Sequence, residues 1–184
     1  MYRTLLCVIV AASGCSSVPG PSADELQAVE NPTDEQQEWL DLVVPRAIAW
    51  YTAQESALLP VGRPLTEDEV AMAARMGVRH PEKVRIIVRD EFPVPDDLVL
   101  AQELSQLGFG ARRPDGFTMG YAVLVTPRSE GKRWLLAHEL AHVGQCERLG
   151  TQALVRRYLL ELRVLGYARA PLELEADRLA QGEK

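Results

Sequence analysis

Apolar residues recur at helical spacing over most of the chain. Between residues 34 and 59 they predict either one bent helix or two short ones, because Pro45 interrupts the run. A capping box from Thr66 to Glu69 predicts the start of another helix, which Gly77 ends. Further helices are predicted at residues 96–107, 132–149, 151–165 and 171–181.

Two segments have the composition of strands. Residues 83–89 contain a β-branched run, and residues 117–126 are rich in Val, Tyr and Thr. Asp115-Gly116 predicts a turn before the second segment, and Pro127 ends it. The pattern therefore predicts an α+β protein that is mostly helical, with a small β-sheet preceding the helix at 132–149.

The first fifteen residues have the layout of an export signal. A short basic start precedes the apolar run Leu5 to Ala12, which is far shorter than the roughly twenty residues of a membrane-spanning helix. Ala12-Ser13-Gly14-Cys15 resembles a bacterial lipobox, with Ala12 at the position where Leu is commonest. We expect a signal peptide at 1–14 and lipidation of Cys15. The alternative is a signal that is cleaved without lipidation.

The segment after Cys15 predicts a tether. Residues 15–32 are rich in Ser, Pro and acidic residues without clear periodicity, and the domain is expected at 33–184. The lipobox resemblance implies an exported protein with a lipid anchor in the membrane. Because Ser16 rather than Asp follows the cysteine, a Gram-negative source implies an outer-membrane lipoprotein that faces the periplasm.

Composition limits the chemistry that is available. The 184 residues suffice for one compact domain, and the net charge of −6 argues against a nucleic-acid partner. There are only three histidines and three cysteines. After removal of the signal and lipidation of Cys15, Cys146 is the only free thiol, and we expect it to be a buried structural residue.

The helix at 132–149 contains the motif His138-Glu139-Leu140-Ala141-His142. Residues four apart share one face of a helix, so both imidazoles can reach one ion, while Glu139 projects beside it toward a water molecule. This is the arrangement of a zinc hydrolase, in which the ion activates water and the glutamate accepts its proton.

Catalytic zinc usually has three protein ligands, so a third ligand is required. The extended motif H-E-x-x-H-x-x-G-x-x-H is excluded, because Gln145 and Arg148 replace its glycine and its last histidine. Downstream, Glu173 and Asp177 share a helix face, so that Glu173 can bind the metal while Asp177 orients a ligand histidine. Glu175 competes with Glu173 for the ligand role.

The order of these residues resembles that of the gluzincin metallopeptidases, in which a downstream glutamate is the third zinc ligand. Thr118-Met119-Gly120 and the segment from Arg133 to Val143 further resemble the metallopeptidase domain of extracellular contractile injection system core proteins. The resemblance extends from about residue 83 to residue 180. It implies a zincin-like fold, Zn²⁺ held by His138, His142 and Glu173, and a peptide or protein substrate.

Some roles remain open at the level of sequence. Tyr167 can stabilise the oxyanion formed during peptide hydrolysis, or it can be an ordinary core or rim tyrosine. Tyr121 and His80 are weaker candidates for the same role. The strand at 117–125 can pair with an extended peptide, or it can be an ordinary core strand. The alternative to a peptidase is a non-catalytic zincin-like lipoprotein that acts as a binding or assembly module.

Overall fold

The computed structural model describes residues 19–109 and 114–183, and its architecture confirms the predicted α+β class. The predicted signal peptide and Cys15 lie outside these ranges. The helices are α1 (Ala23–Glu30), α2 (Asp34–Leu58), α3 (Glu67–Arg75), α4 (Leu98–Gln106), α5 (Arg133–Leu149), α6 (Thr151–Leu165) and α7 (Pro171–Ala180). The strands are β1 (Arg63–Pro64), β2 (Arg85–Val88), β3 (Gly116–Met119) and β4 (Ala122–Val125).

The strands form one sheet in the order β1-β2-β4-β3. Strands β2 and β4 are parallel, whereas β1 and β3 pair antiparallel with their neighbours. The prediction of a single strand at 117–126 is wrong, because this segment is a hairpin that turns at Gly120. The prediction of a turn at Asp115-Gly116 is also wrong at Gly116, which is the first residue of β3. Gly120 has a φ of +59°, a left-handed conformation that glycine adopts without strain.

The sheet lies between two layers of helices. One face packs on α3, α5 and α7 through a core that includes Ile86, Val123 and Leu140. The other face packs on the end of α2 through Leu58 and Leu124. A third apolar cluster joins α2, α4 and α6, and the single helix α2 runs through Pro45 to serve both clusters. As a result α5 is buried beneath the sheet, next to α7.

Part of the expected tether is ordered on the domain. Helix α1 begins with a capping box between Ser22 and Glu25, and Val29 packs against the cluster of α2, α4 and α6. Arg169 donates two hydrogen bonds, of 2.8 and 2.6 Å, to the carboxylate of Glu25 and also reaches the carbonyl of Pro19. The apolar periodicity of residues 15–32 was too weak to predict α1, which tertiary contacts stabilise. None of the helices in residues 19–109 and 114–183 combines the length and hydropathy that crossing a bilayer requires.

Candidate metal centre

Helix α5 holds the motif in the interior of the protein. His138 is 6% exposed and Glu139 is 4% exposed, because apolar neighbours on the same helix pack against the sheet and α7. The helix also lies very close to the end of α3: a Cβ at Gly144 would come within 2.8 Å of the carbonyl oxygen of Met76. The backbone that carries the two histidines is therefore fixed on several sides.

The structure brings the three predicted ligands together. The Nε2 atoms of His138 and His142 lie 3.1 Å apart, and they lie 3.3 and 3.5 Å from the two carboxylate oxygens of Glu173. An ion with tetrahedral bonds of about 2.0 Å separates its ligand atoms by about 3.3 Å. The three side chains thus have the spacing that one small divalent cation requires, and their ligand atoms lie within 4.8 Å of one another.

Each of these side chains has a further polar partner that holds it in place. His138 has Nδ1 3.0 Å from the carboxylate of Asp177, and His142 has Nδ1 2.8 Å from the amide oxygen of Gln145. The hydroxyl of Tyr158 donates a hydrogen bond of 2.7 Å to Oε1 of Glu173. Such contacts fix the orientation of a metal ligand, and for a histidine they also select the nitrogen that binds the ion.

Glu173 has an unsatisfied oxygen at the centre of this cluster. Its Oε2 atom is buried and has no hydrogen-bond partner within the described part of the chain. Nε2 of His138 lies 3.3 Å from this oxygen, and a buried carboxylate oxygen that makes no hydrogen bond is costly unless a cation lies beside it, so the donor set fits a metal cation. Two imidazoles and one carboxylate are borderline and hard donors, a set that suits divalent transition-metal ions.

The electrostatics of the cluster agree with this. Although burial opposes ionisation, the two histidines hold the pKa of Glu173 far below its usual range. Burial also opposes the charge on His138, but the carboxylates of Asp177 and Glu173 raise its pKa to about 10. Protons and a cation therefore compete for the same cluster of groups.

Glu139 lies against the edge strand β3. Its Oε2 accepts a hydrogen bond of 2.6 Å from the hydroxyl of Thr118, and a Cβ at Gly116 would come within 2.4 Å of its Oε1. Burial raises the pKa of Glu139, and this effect outweighs the two histidines that favour the charged form. The result is a buried carboxylate with greater affinity for a proton than an exposed one.

The sequence also indicated Tyr167, Glu175 and Tyr121 as candidates. Tyr167, in the turn between α6 and α7, is 46% exposed, and burial of its hydroxyl together with the charge of Glu173 raises its pKa. Glu175 turns away from the histidines and pairs with Arg148 at 2.7 Å. Tyr121 donates its hydroxyl to Glu147, at 3.0 Å.

His80, a weaker candidate, and Cys146, expected to be structural, do not belong to the group of His138, His142 and Glu173. His80 is exposed and pairs with Glu82. Cys146 is only partly buried, where we expected full burial, and its sulfur contacts the hydroxyls of Tyr51 and Thr151.

Three residues of the site were missed in the sequence: Thr118, Gln145 and Tyr158. Gln145 follows His142 by three residues on the same helix, so the spacing alone could have indicated it. Its amide also donates to the carbonyl of Leu172 and to Glu175, which ties α5 to α7. Thr118 and Tyr158 come from other elements. Thr118 belongs to the segment that carries the family resemblance, but no local pattern gives it or Tyr158 a role at the site.

Part of the chain matches a known protein family. Residues 108–150 match the eCIS core domain, less than a quarter of the chain. The matched segment contains β3, β4 and α5, hence Thr118 and the whole H-E-x-x-H motif, and it ends before Glu173. No curated protein and no solved structure shows a significant match. The match relates the chain to eCIS core proteins through this segment.

Proposed function

We propose that the protein is a zinc-dependent peptidase related to the eCIS core proteins. The observation that carries the proposal is the spacing of His138, His142 and Glu173, which suits one tetrahedral ion. The buried Glu139 lies on α5 together with the two histidines. These three residues would hold Zn²⁺. When bound, zinc supplies a Lewis acid that polarises the scissile carbonyl and lowers the pKa of a water molecule.

The chain's own residues account for the proton transfers. Glu139 accepts the proton of the attacking water and passes it to the departing amine, a role that its raised pKa favours. Tyr167 is 46% exposed as a residue, but burial of its hydroxyl and the charge of Glu173 raise its pKa, so that it keeps its proton. In this proposal its hydroxyl donates a hydrogen bond to the oxyanion. Asp177, Gln145 and Tyr158 keep the three ligands oriented.

The position of β3 supports a peptide substrate. It is an edge strand, and Gly116 and Thr118 contact the carboxylate of Glu139. An extended peptide that pairs with a free strand edge gains main-chain hydrogen bonds with little dependence on its sequence. In this proposal such a peptide lies along β3 with its scissile bond next to the metal centre, as in a zincin-like fold.

The test is the variant Glu139→Gln. It should bind one equivalent of zinc, as the wild type does, and fail to cleave a peptide library that the wild type cleaves. Cleavage by Glu139→Gln would contradict the mechanism. Wild-type protein that binds zinc but cleaves no peptide would favour the rival function, a binding or assembly module. Wild-type protein without stoichiometric zinc would refute the proposed enzymatic activity.

We also propose that Cys15 is lipidated and anchors the protein in the membrane, in the outer membrane facing the periplasm if the source is Gram-negative. The supporting feature is the sequence Ala12-Ser13-Gly14-Cys15. Wild-type protein should incorporate labelled fatty acid and sediment with membranes, whereas Cys15→Ser should do neither. Incorporation of label by Cys15→Ser would contradict the assignment.

A further inference from the structure

We infer that Thr118 is a positioning residue for Glu139: its hydroxyl binds Oε2 and fixes the carboxylate against β3, in the orientation in which Glu139 acts as the base. This inference rests on the proposed peptidase function and adds to it a residue on which the turnover rate depends.

The contact is made at two points of one residue. The hydroxyl oxygen of Thr118 lies 2.6 Å from Oε2 of Glu139 and 3.1 Å from the backbone carbonyl oxygen of Glu139. Its single proton is donated to the nearer oxygen, Oε2, and the hydroxyl also lies beside the helix backbone from which that carboxylate projects. Threonine suits this role, because its branched Cβ restricts rotation and keeps the hydroxyl in one direction.

The second oxygen of the carboxylate is in a different environment. Oε1 lies beside Gly116, where a Cβ would come within 2.4 Å of it. Gly116 and Thr118 are two residues apart in a strand, so a Cβ at Gly116 and the side chain of Thr118 lie on the same face of β3. Glycine leaves room beside Oε1 while threonine occupies Oε2, and together they fix how the carboxylate is turned.

The strand that carries Thr118 is itself held firmly. The hairpin turn that follows it is bound to α2: the amide of Gly120 donates to the hydroxyl of Tyr51, and the amide of Tyr121 donates to Glu55 at 2.8 Å. Thr118 also pairs with Val123 of β4, which is fully buried. The hydroxyl therefore has a defined position relative to α5 before any substrate binds, which is the condition for a preorganised base.

The experiment compares Thr118→Val, Thr118→Ser and Thr126→Val in the full chain loaded with zinc. Valine keeps the shape of threonine without its hydroxyl, and serine restores the hydroxyl. Thr126 is a matched control, because it is buried at the end of the same hairpin and its hydroxyl contacts Asp115 rather than Glu139. Zinc content, urea midpoint, kcat and KM are measured for each variant with a peptide that the wild type cleaves.

For Thr118→Val we expect kcat to fall about tenfold, with KM and zinc content within about twofold of the wild type, because only the orientation of the base is lost. Thr118→Ser should recover most of kcat, and Thr126→Val should keep kcat even if its urea midpoint falls. Unchanged kcat in Thr118→Val, or an equal loss in Thr126→Val, would overturn the inference.

Different results would refute the role of Thr118 and the proposed peptidase function. If the wild type cleaves nothing, the peptidase proposal fails and the role of Thr118 falls with it. If the wild type is active, Glu139→Gln is inactive and Thr118→Val turns over like the wild type, only the role of Thr118 is refuted.

Discussion

Tyr158 and Glu173 form the contact that determines how the third ligand is presented. The tyrosine hydroxyl donates a 2.7 Å hydrogen bond to Oε1, whereas Oε2 is buried without a hydrogen-bond partner among the residues described. The ring of Tyr158 also lies edge-on to that of His142, with centroids 6.4 Å apart. One side chain from α6 thus contacts two of the three residues that would hold the metal.

Removing the hydroxyl of Tyr158 should weaken metal binding. For Tyr158→Phe we expect the affinity for zinc to fall by about ten- to a hundredfold, because Glu173 loses the hydrogen bond that orients its carboxylate. Competition with a chromogenic chelator measures this affinity. Tyr121→Phe is the control, because its hydroxyl contacts Glu147, away from the metal centre, and it should bind zinc like the wild type. Equal affinities for the two variants would refute the role of Tyr158.

The two neighbouring glutamates of α7 should respond differently to the same substitution. Glu173→Gln should abolish stoichiometric zinc binding, since it removes the charge of a ligand that lies 3.3 Å from Nε2 of His138. Glu175→Gln should retain one zinc, because Glu175 pairs with Arg148 instead. Elemental analysis after dialysis decides between them. Loss of zinc from Glu175→Gln with retention by Glu173→Gln would reverse the assignment.

Adding a methyl group at Gly116 should disturb Glu139. A Cβ there would come within 2.4 Å of Oε1, so either the strand or the carboxylate must move. We expect Gly116→Ala to lower the free energy of unfolding by about 1–3 kcal/mol, as overpacking usually does. Urea denaturation measures the loss. Gly182→Ala should be close to neutral, because no neighbouring atom of residues 19–109 and 114–183 lies within 4 Å of the new Cβ, and similar losses for both variants would contradict this reading.

The docking of α1 should depend on pH through Glu25. The hydrogen bonds from Arg169 and from the Ser22 amide lower the pKa of Glu25 from 4.5 to about 2. Because the folded-state pKa is depressed, ionised Glu25 stabilises the docked helix above pH 4.5, and this contribution is lost as the pH falls toward 2. The carboxyl resonance of Glu25, followed by NMR, should titrate at about pH 2.

The partner of Glu25 provides the control. Arg169→Ala should bring the pKa of Glu25 back toward its ordinary value, whereas Arg148→Ala, which removes an ion pair of Glu175, should leave it unchanged. A wild-type Glu25 that titrates in its ordinary range would show that the ion pair does not hold α1 in solution.

Sequence alone determined those features that depend on distance along one helix. His138 and His142 share a face of α5 because they are four residues apart, and the same spacing places Glu173 and Asp177 on one face of α7. The helices after residue 132 were predicted within two residues of their observed ends, since α5 and α6 each stop at a glycine and α7 begins at a proline.

Only the tertiary structure decided how these faces meet. The packing of α7 on α5 turns Glu173 toward the histidines and Glu175 toward Arg148, a choice that the sequence left open. It also brought Thr118 from β3 and Tyr158 from α6 to the two glutamates of the site. Helical periodicity fixes which residues share a face, but contacts between elements depend on how those faces pack, and no local pattern encodes that.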